Sequence, residues 1–192
     1  MSRKLFALID CNNFFVSCER AFRPDLERKP VMVLSNNDGC VVSRSQEVKD
    51  LGVPMGAPYF KCRDIIKNAG IKVFSGNFEL YGDMSQRVMN TLEEFSDEVE
   101  IYSIDEAFVP LYGTGAVETA HKIRTTIHQW TRIPVSVGIG PTKVLAKVGS
   151  HIAKKTQPTT AYLTSKLITS IRTCANCRFK IFGELVASPP NF

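Results

Sequence analysis

The sequence predicts an α+β fold: a ferredoxin-like sheet, antiparallel or mixed, covered by helices on one face, with a small α/β lobe inserted. Three observations predict it. Apolar runs of strand length alternate with amphipathic stretches of helical period. Residues 99–140 read strand, strand, helix, strand, and with the first strand added they match the ferredoxin-like order. Residues 22–74 carry their own short strands among dense turn signals, which sets them apart as a lobe.

Residues 4–10 form an apolar run that ends in Asp10, so a buried strand is expected there. Asn12 and Asn13 are suited to cap a helix that runs to about Phe22, where Arg23-Pro24 stops it. A second strand is predicted over residues 30–35, then the turn sequence Asn36-Asn37-Asp38-Gly39 and a third strand over 40–43. Residues 45–51 read as a short helix with Gly52 in the place of its cap, and residues 59–68 as another. Helical spacing over 81–95 puts Met84, Val88, Leu92 and Phe95 on one face. Strands at 99–104 and 107–111 flank Asp105-Glu106. A helix over 117–130 turns Ala120, Ile123, Ile127 and Trp130 to the core. A strand at 134–140 and a helix at 142–155 follow, with no repeats and no low-complexity segments.

A chain of 192 residues holds one good core, or one core with a small appended lobe. Its 44% hydrophobic and 22% charged residues are ordinary for a globular protein and do not fit a disordered one. No apolar run is long enough to cross a bilayer, and the first one ends in Asp10 rather than in a cleavage signal. A cytoplasmic protein without membrane association is therefore expected. Cys11, Cys18, Cys40 and Cys62 sit in or beside apolar segments, where free cysteine acts as a small hydrophobe. Cys174 and Cys177 form a lone C-x-x-C, short of the four ligands of a structural zinc site.

The net charge of +5 is uneven. From Lys143 onward eight Lys or Arg face one acidic residue, which leaves 16 basic and 18 acidic residues before it. An acidic front and a basic back suit a metal site beside a polyanion-binding surface, and equally a solvated basic helix and tail.

The carboxylates are the chemical signal. Asp10 closes an apolar strand, and Asp105-Glu106 interrupt the apolar run of residues 101–109. Carboxylates in such places are costly unless paired or bound to a metal. Gathered acids repel one another, and a divalent ion removes that penalty, with Mg²⁺ or Mn²⁺ favoured by hard oxygen ligands. The alternative is that these acids simply occupy strand ends at the rim of the sheet. Because neighbouring strand residues face opposite sides, Asp105 and Glu106 reach one site only at a bend or a strand end.

Several ordered motifs then agree with one family. F-A-L-I-D-C-N-N-F-F (residues 6–15), S-I-D-E-A-F (103–108) and V-G-I-G-P-T-K-V-L-A-K (137–147), with H-x-A-K-K at 151–155, resemble the three metal and phosphate motifs of Y-family lesion-bypass DNA polymerases. L-S-N-N-D-G-C (34–40) and L-Y-G-D-M-S (80–85) narrow the resemblance to UmuC-type members. The resemblance covers residues 4–158. It implies a palm at 1–21 and 76–158, fingers at 22–75, and template-directed nucleotidyl transfer from a dNTP to a primer 3′-hydroxyl. It also implies two Mg²⁺ (or Mn²⁺) ions on Asp10, Asp105 and Glu106, with the Cys11 backbone carbonyl as a further ligand. Phe15 falls where the family keeps an aromatic steric gate, and Phe14 beside it is implied to be nucleotide-binding too, although a core-facing phenylalanine has the same spacing as Phe15. Lys49 and Lys143 match nucleotide-contacting positions, and Lys147, Lys154 and Lys155 could follow a DNA backbone. An exposed lysine is otherwise just a solvated one. Gln46 departs from the tyrosine that many relatives place beside the triphosphate.

The implied partners are primer–template DNA and dNTP. In full-length relatives a UmuD-type subunit and the sliding clamp join them, through surfaces expected to be missing here. Residues 159–192 are expected to be a divergent tail in place of the thumb and little-finger domains, with helix-compatible pieces at 163–171 and an unstructured end. Such a short form could be an active, weakly gripping core or a non-catalytic remnant that binds DNA or a partner. A palm-fold nucleotidyl cyclase is the third possibility, and the N-N-D-G-C and Phe15 matches oppose it.

Overall fold

A computed structural model describes residues 4–113, 115–154 and 160–162. Its fold is α+β. Five strands, β1 (Lys4–Cys11), β5 (Glu100–Ile101), β6 (Glu106–Tyr112), β7 (Val135–Gly140) and β8 (Thr160–Tyr162), make one sheet in the order β5-β6-β1-β7-β8. Without β8 this is the strand order of a ferredoxin-like sheet. β8 joins its edge parallel to β7, a strand that the sequence had not signalled. β1 runs through the middle, buried from Ala7 to Ile9 on both faces, which explains its near-continuous apolar run.

A second sheet has three strands, β2 (Val31–Leu34), β3 (Val41–Arg44) and β4 (Lys72–Phe74), in the order β3-β2-β4. β2 and β3 are antiparallel, and β2 and β4 parallel. Its apolar core comprises Met32, Leu34, Val41, Val48, Val53 and Ile71 together with Cys62. Cys11 and Cys18 are buried as well, and none of the four described cysteines is in a disulfide. Cys174 and Cys177, and the expected helix at 163–171, lie outside the described residues.

The chain divides into two compact units. One comprises the described residues within Met1–Asp10, Met89–Thr126 and Val135–Phe192, the other Cys11–Val88 and Ile127–Pro134.

The helices are α1 (Phe14–Phe22), α2 (Gln46–Asp50), α3 (Tyr59–Ala69), α4 (Phe78–Glu93), α5 (Ala116–Thr131) and α6 (Lys143–Ala153). Three details depart from expectation. Asn13 stands at the N-cap of α1 but is left-handed (φ 49°), a conformation asparagine tolerates, and its side chain caps nothing. Its Oδ1 accepts instead from Lys49 Nζ at 2.5 Å. Helix α4 begins at Phe78 rather than Tyr81, because Asn77 Oδ1 accepts from Leu80 N and so caps an earlier turn. Trp130 is 60% exposed instead of facing the core. The last turn of α5 is closed by Thr131 Oγ1 donating to the Ile127 carbonyl, Arg132 turns the chain at φ 62°, and Ile133 takes the buried position.

The expected strand over 99–104 is also shorter. β5 stops at Ile101, and the amides of Tyr102 and Ser103 both donate to the Glu106 carbonyl at 3.0 Å, closing a tight hairpin into β6. Asp105 therefore lies in the bend and Glu106 opens the strand. That is the one arrangement in which neighbouring acids escape the two-residue alternation of a strand.

Helix α6 is seated on β7 by two glycines. A Cβ on Gly138 would come within 2.0 Å of Ser150 N and 2.1 Å of the Ala146 carbonyl, and one on Gly140 within 2.8 Å of Ala146 N. Backbone meets backbone there, which explains both glycines of V-G-I-G. Thr142 caps the helix by accepting from Leu145 N.

Candidate metal and phosphate site

Two carboxylates meet at the end of the central strand. Asp10 of β1 stands directly opposite Glu106 of β6. By strand alternation they share a face with Phe6, Leu8 and Phe108, and on that face Ala146 of α6 packs against Leu8 and Phe108. The seating of α6 thus decides what lies over the acids. Lys147, His151 and Lys154 recur at i, i+4 and i+7, one side of the helix.

Lys154 Nζ lies 2.5 Å from Asp10 Oδ2, and Lys147 Nζ 3.1 Å from Glu106 Oε2. Lys147 also sits over the Tyr102 ring, 4.4 Å from its centroid. Asp10, Glu106, Lys147 and Lys154, with Val148 and His151, line a cleft of about 390 Å³. Asp10 is only 5% exposed, and its Oδ1 is buried with no hydrogen-bond partner. Burial pushes its carboxyl up to about 6, with the Glu106 carboxylate adding to the rise and the Lys154 ammonium opposing it. The Glu106 carboxylate in turn holds Lys147 above its ordinary value.

Asp105 is not drawn into this pair. Its Oδ1 accepts from Ser103 Oγ at 2.7 Å within the hairpin bend. Among the described residues no three His, Cys, Asp or Glu side chains converge as metal ligands. Lys143 opens on a different cleft, of about 240 Å³, where it pairs with Glu100 beside the rings of Phe6 and Phe108. Lys155 lies outside the described residues.

Phe14, Phe15 and Lys49 belong to the other unit. Phe14 is buried, at 4% exposure. Phe15 is half-buried and stacks on Tyr81, with centroids 4.4 Å apart and planes 15° apart, while Phe78 meets both rings edge-on. Tyr81 is itself buried, and its hydroxyl donates to Glu19 Oε1 at 2.8 Å. Such stacking adds roughly 1 kcal/mol beyond burial.

Residues 9–151 match the impB/mucB/samB family. The chain belongs to that family. Over 157 residues it is 52% identical to protein UmuC of Salmonella typhimurium, a match spanning 80% of this chain and 37% of UmuC. It is 38% identical over 153 residues to DNA polymerase IV of Corynebacterium diphtheriae, across 76% of this chain and 34% of that one. Its fold superposes on a Y-family DNA polymerase chimera of Dbh and Dpo4 with a TM-score of 0.75 and 26% identity, covering 87% of this chain and 51% of the chimera. The chain thus spans about 37% of the length of UmuC.

Within this Y-family member, sequence reasoning left out Tyr102, Val148 and His151 as site residues. The spacing 147, 151, 154 was a helical-face signal for His151. Nothing local marked Tyr102, whose contact with Lys147 depends on how α6 sits. Tyr81 lay inside the L-Y-G-D-M-S motif, without a sign that it would stack on Phe15.

Proposed function

We propose that the chain carries template-directed DNA synthesis of the translesion type, by two-metal nucleotidyl transfer from a dNTP to a primer 3′-hydroxyl. One observation supports this most: a family member places Asp10 and Glu106 side by side at paired strand ends, with a buried Asp10 oxygen that has no partner. The donor set fits a hard divalent cation, being carboxylate oxygen with one acceptor unmet. Asp10 and Glu106 would hold Mg²⁺ or Mn²⁺, joined by Asp105 and the Cys11 carbonyl as the resemblance implies. When bound, two such ions supply activation of the 3′-hydroxyl and charge neutralisation of the leaving pyrophosphate.

The other assignments follow the same reading. Phe15, backed by Tyr81, is the steric gate against a ribose 2′-hydroxyl, with Phe14 behind it in the apolar interior. Lys49 and Lys143 contact the nucleotide, and Lys147, Lys154 and Lys155 the DNA backbone. Residues 22–75 are the fingers, a division supported by β2, β3 and β4 all falling inside that span. Residues 1–21 and 76–158 are the palm.

The test is extension of a labelled primer–template at low salt with Mn²⁺ and each deoxynucleotide, with Asp105→Ala run alongside. Incorporation by the wild type and none by the variant is expected. No incorporation by a folded wild type that binds Mn²⁺ would sink the catalytic proposal. Cyclic nucleotide released from a bare triphosphate would replace it with a cyclase.

A further inference from the structure

We infer that Lys154 and Lys147 are exchangeable counter-ions of the Asp10–Glu106 pair: a divalent cation entering the cleft displaces both ammonium groups, which are thereby freed to hold phosphate. The inference rests on the reading of that pair as the metal site.

The two halves of each ion pair differ in mobility. Side-chain exposure is 7% for Asp10 and 17% for Glu106, against 38% for Lys154 and 49% for Lys147. The acids are short side chains on hydrogen-bonded strands, whereas the lysines reach over them from α6 on four-carbon stems with free rotamers. The lysines are the half that moves.

The present pairing is also incomplete. The Lys154 ammonium satisfies Asp10 Oδ2 and leaves the buried Oδ1 without a donor. An unmet buried acceptor costs free energy that an ion with several oxygen ligands removes. Charge then favours exchange over addition. Two carboxylates and two ammonium groups already balance, so a doubly charged ion entering beside them would leave uncompensated positive charge in a half-enclosed cleft. Lys147 has somewhere else to rest, because its Nζ already lies over the Tyr102 ring.

Once released, Lys147 and Lys154 stand on one side of α6, about 10 Å apart along its axis, with His151 between them on the cleft wall. Their unmatched charge calls for phosphate. Cation binding and phosphate binding therefore strengthen each other by the same factor.

The experiment measures free Mn²⁺ by electron paramagnetic resonance at neutral pH, on the full chain, for wild type, Asp10→Asn, Lys154→Met and Lys147→Met. Wild type is expected to show binding that Asp10→Asn loses. Each lysine variant is expected to bind Mn²⁺ about fivefold more tightly, the factor matching a half-exposed ion pair of about 1 kcal/mol. Asp10-dependent binding that appears only in the lysine variants would support the exchange equally. Affinity unchanged or weaker in both lysine variants, with Asp10→Asn still abolishing binding, overturns the inference and leaves the metal site standing. No Asp10-dependent binding in any protein overturns both. Should Lys154→Met fail to fold, Lys147→Met, from the more exposed pair, carries the same readout. A second arm measures a fluorescent oligothymidylate: Mn²⁺ should raise its affinity for wild type, and an equal rise in the Lys147→Met/Lys154→Met double variant would overturn the phosphate half.

Discussion

Asp10 titrates near its ordinary value of 3.8 when the chain is unfolded, and at about 6 when it is folded. Between those values the native protein binds a proton that the unfolded chain has lost. The contribution of Asp10 to metal-free stability is thus fully present below pH 4 and is lost as pH rises through 6. Asp10→Asn removes this dependence. Without metal, the variant should gain on wild type by about 2 kcal/mol between pH 4 and pH 7. Urea melts of both proteins across that range would show it, and a constant difference would mean that Asp10 does not titrate there. At this scale much was legible, because a carboxylate that ends an apolar strand is conspicuous. Trp130 was not, since its helical spacing fits a core position and only the chain reversal at Arg132 puts Ile133 there instead.

Helix α6 and the β5–β6 hairpin set the site. The helix brings Lys147 and Lys154 onto the acids only while its backbone lies against Gly138 and Gly140. Gly138→Ala would force atoms 2.0 Å apart, and the nearest neighbours, Ser150 N, the Ala146 carbonyl oxygen and Gly149 C, are backbone atoms that cannot rotate away. A loss of at least about 3 kcal/mol is expected, at the upper end of overpacking. Thermal melting checks it, and a melting point within a few degrees of wild type would show that α6 shifts freely. Gly140→Ala, with its closest approach at 2.8 Å, should cost less. The hairpin shows how far an element can be read from sequence. Strand propensity at 99–104 suggested a long β5, but two amides donating to the Glu106 carbonyl close the turn early. That closure places Asp105 in the bend and Glu106 at the start of the strand, where Glu106 meets Asp10 and Asp105 stays with Ser103.

Across the whole molecule, the basic residues from Lys143 onward follow an acidic majority, and the described ones lie on or beside α6. If Lys147, Lys154 and Lys155 each neutralise a duplex phosphate, affinity for primer–template should fall about 40-fold between 50 and 200 mM salt. Fluorescence anisotropy at four salt concentrations tests this. A Lys154→Met variant should lower the slope by nearly one unit, and an unchanged slope would remove Lys154 from the DNA surface. Among the described residues, no helix is long and apolar enough to cross a membrane. The two sheets match the expected ferredoxin-like layout with a separate smaller sheet, since alternating strand and helix periods limit the topologies that can bury both kinds of face.

The sequence by itself determined the class of fold, most of the helices, the family and which acids are candidates for its site, because each is written in local period or in an ordered motif. Tertiary structure alone decided which acids meet. Asp10 and Glu106 pair because β1 and β6 run antiparallel in one register, while Asp105 is kept by Ser103. It also decided that lysines read as phosphate ligands lie on those acids, and that Phe15 is backed by Tyr81. The reason is physical: such contacts join residues dozens of positions apart, and they depend on how closely two glycines let a helix approach a strand.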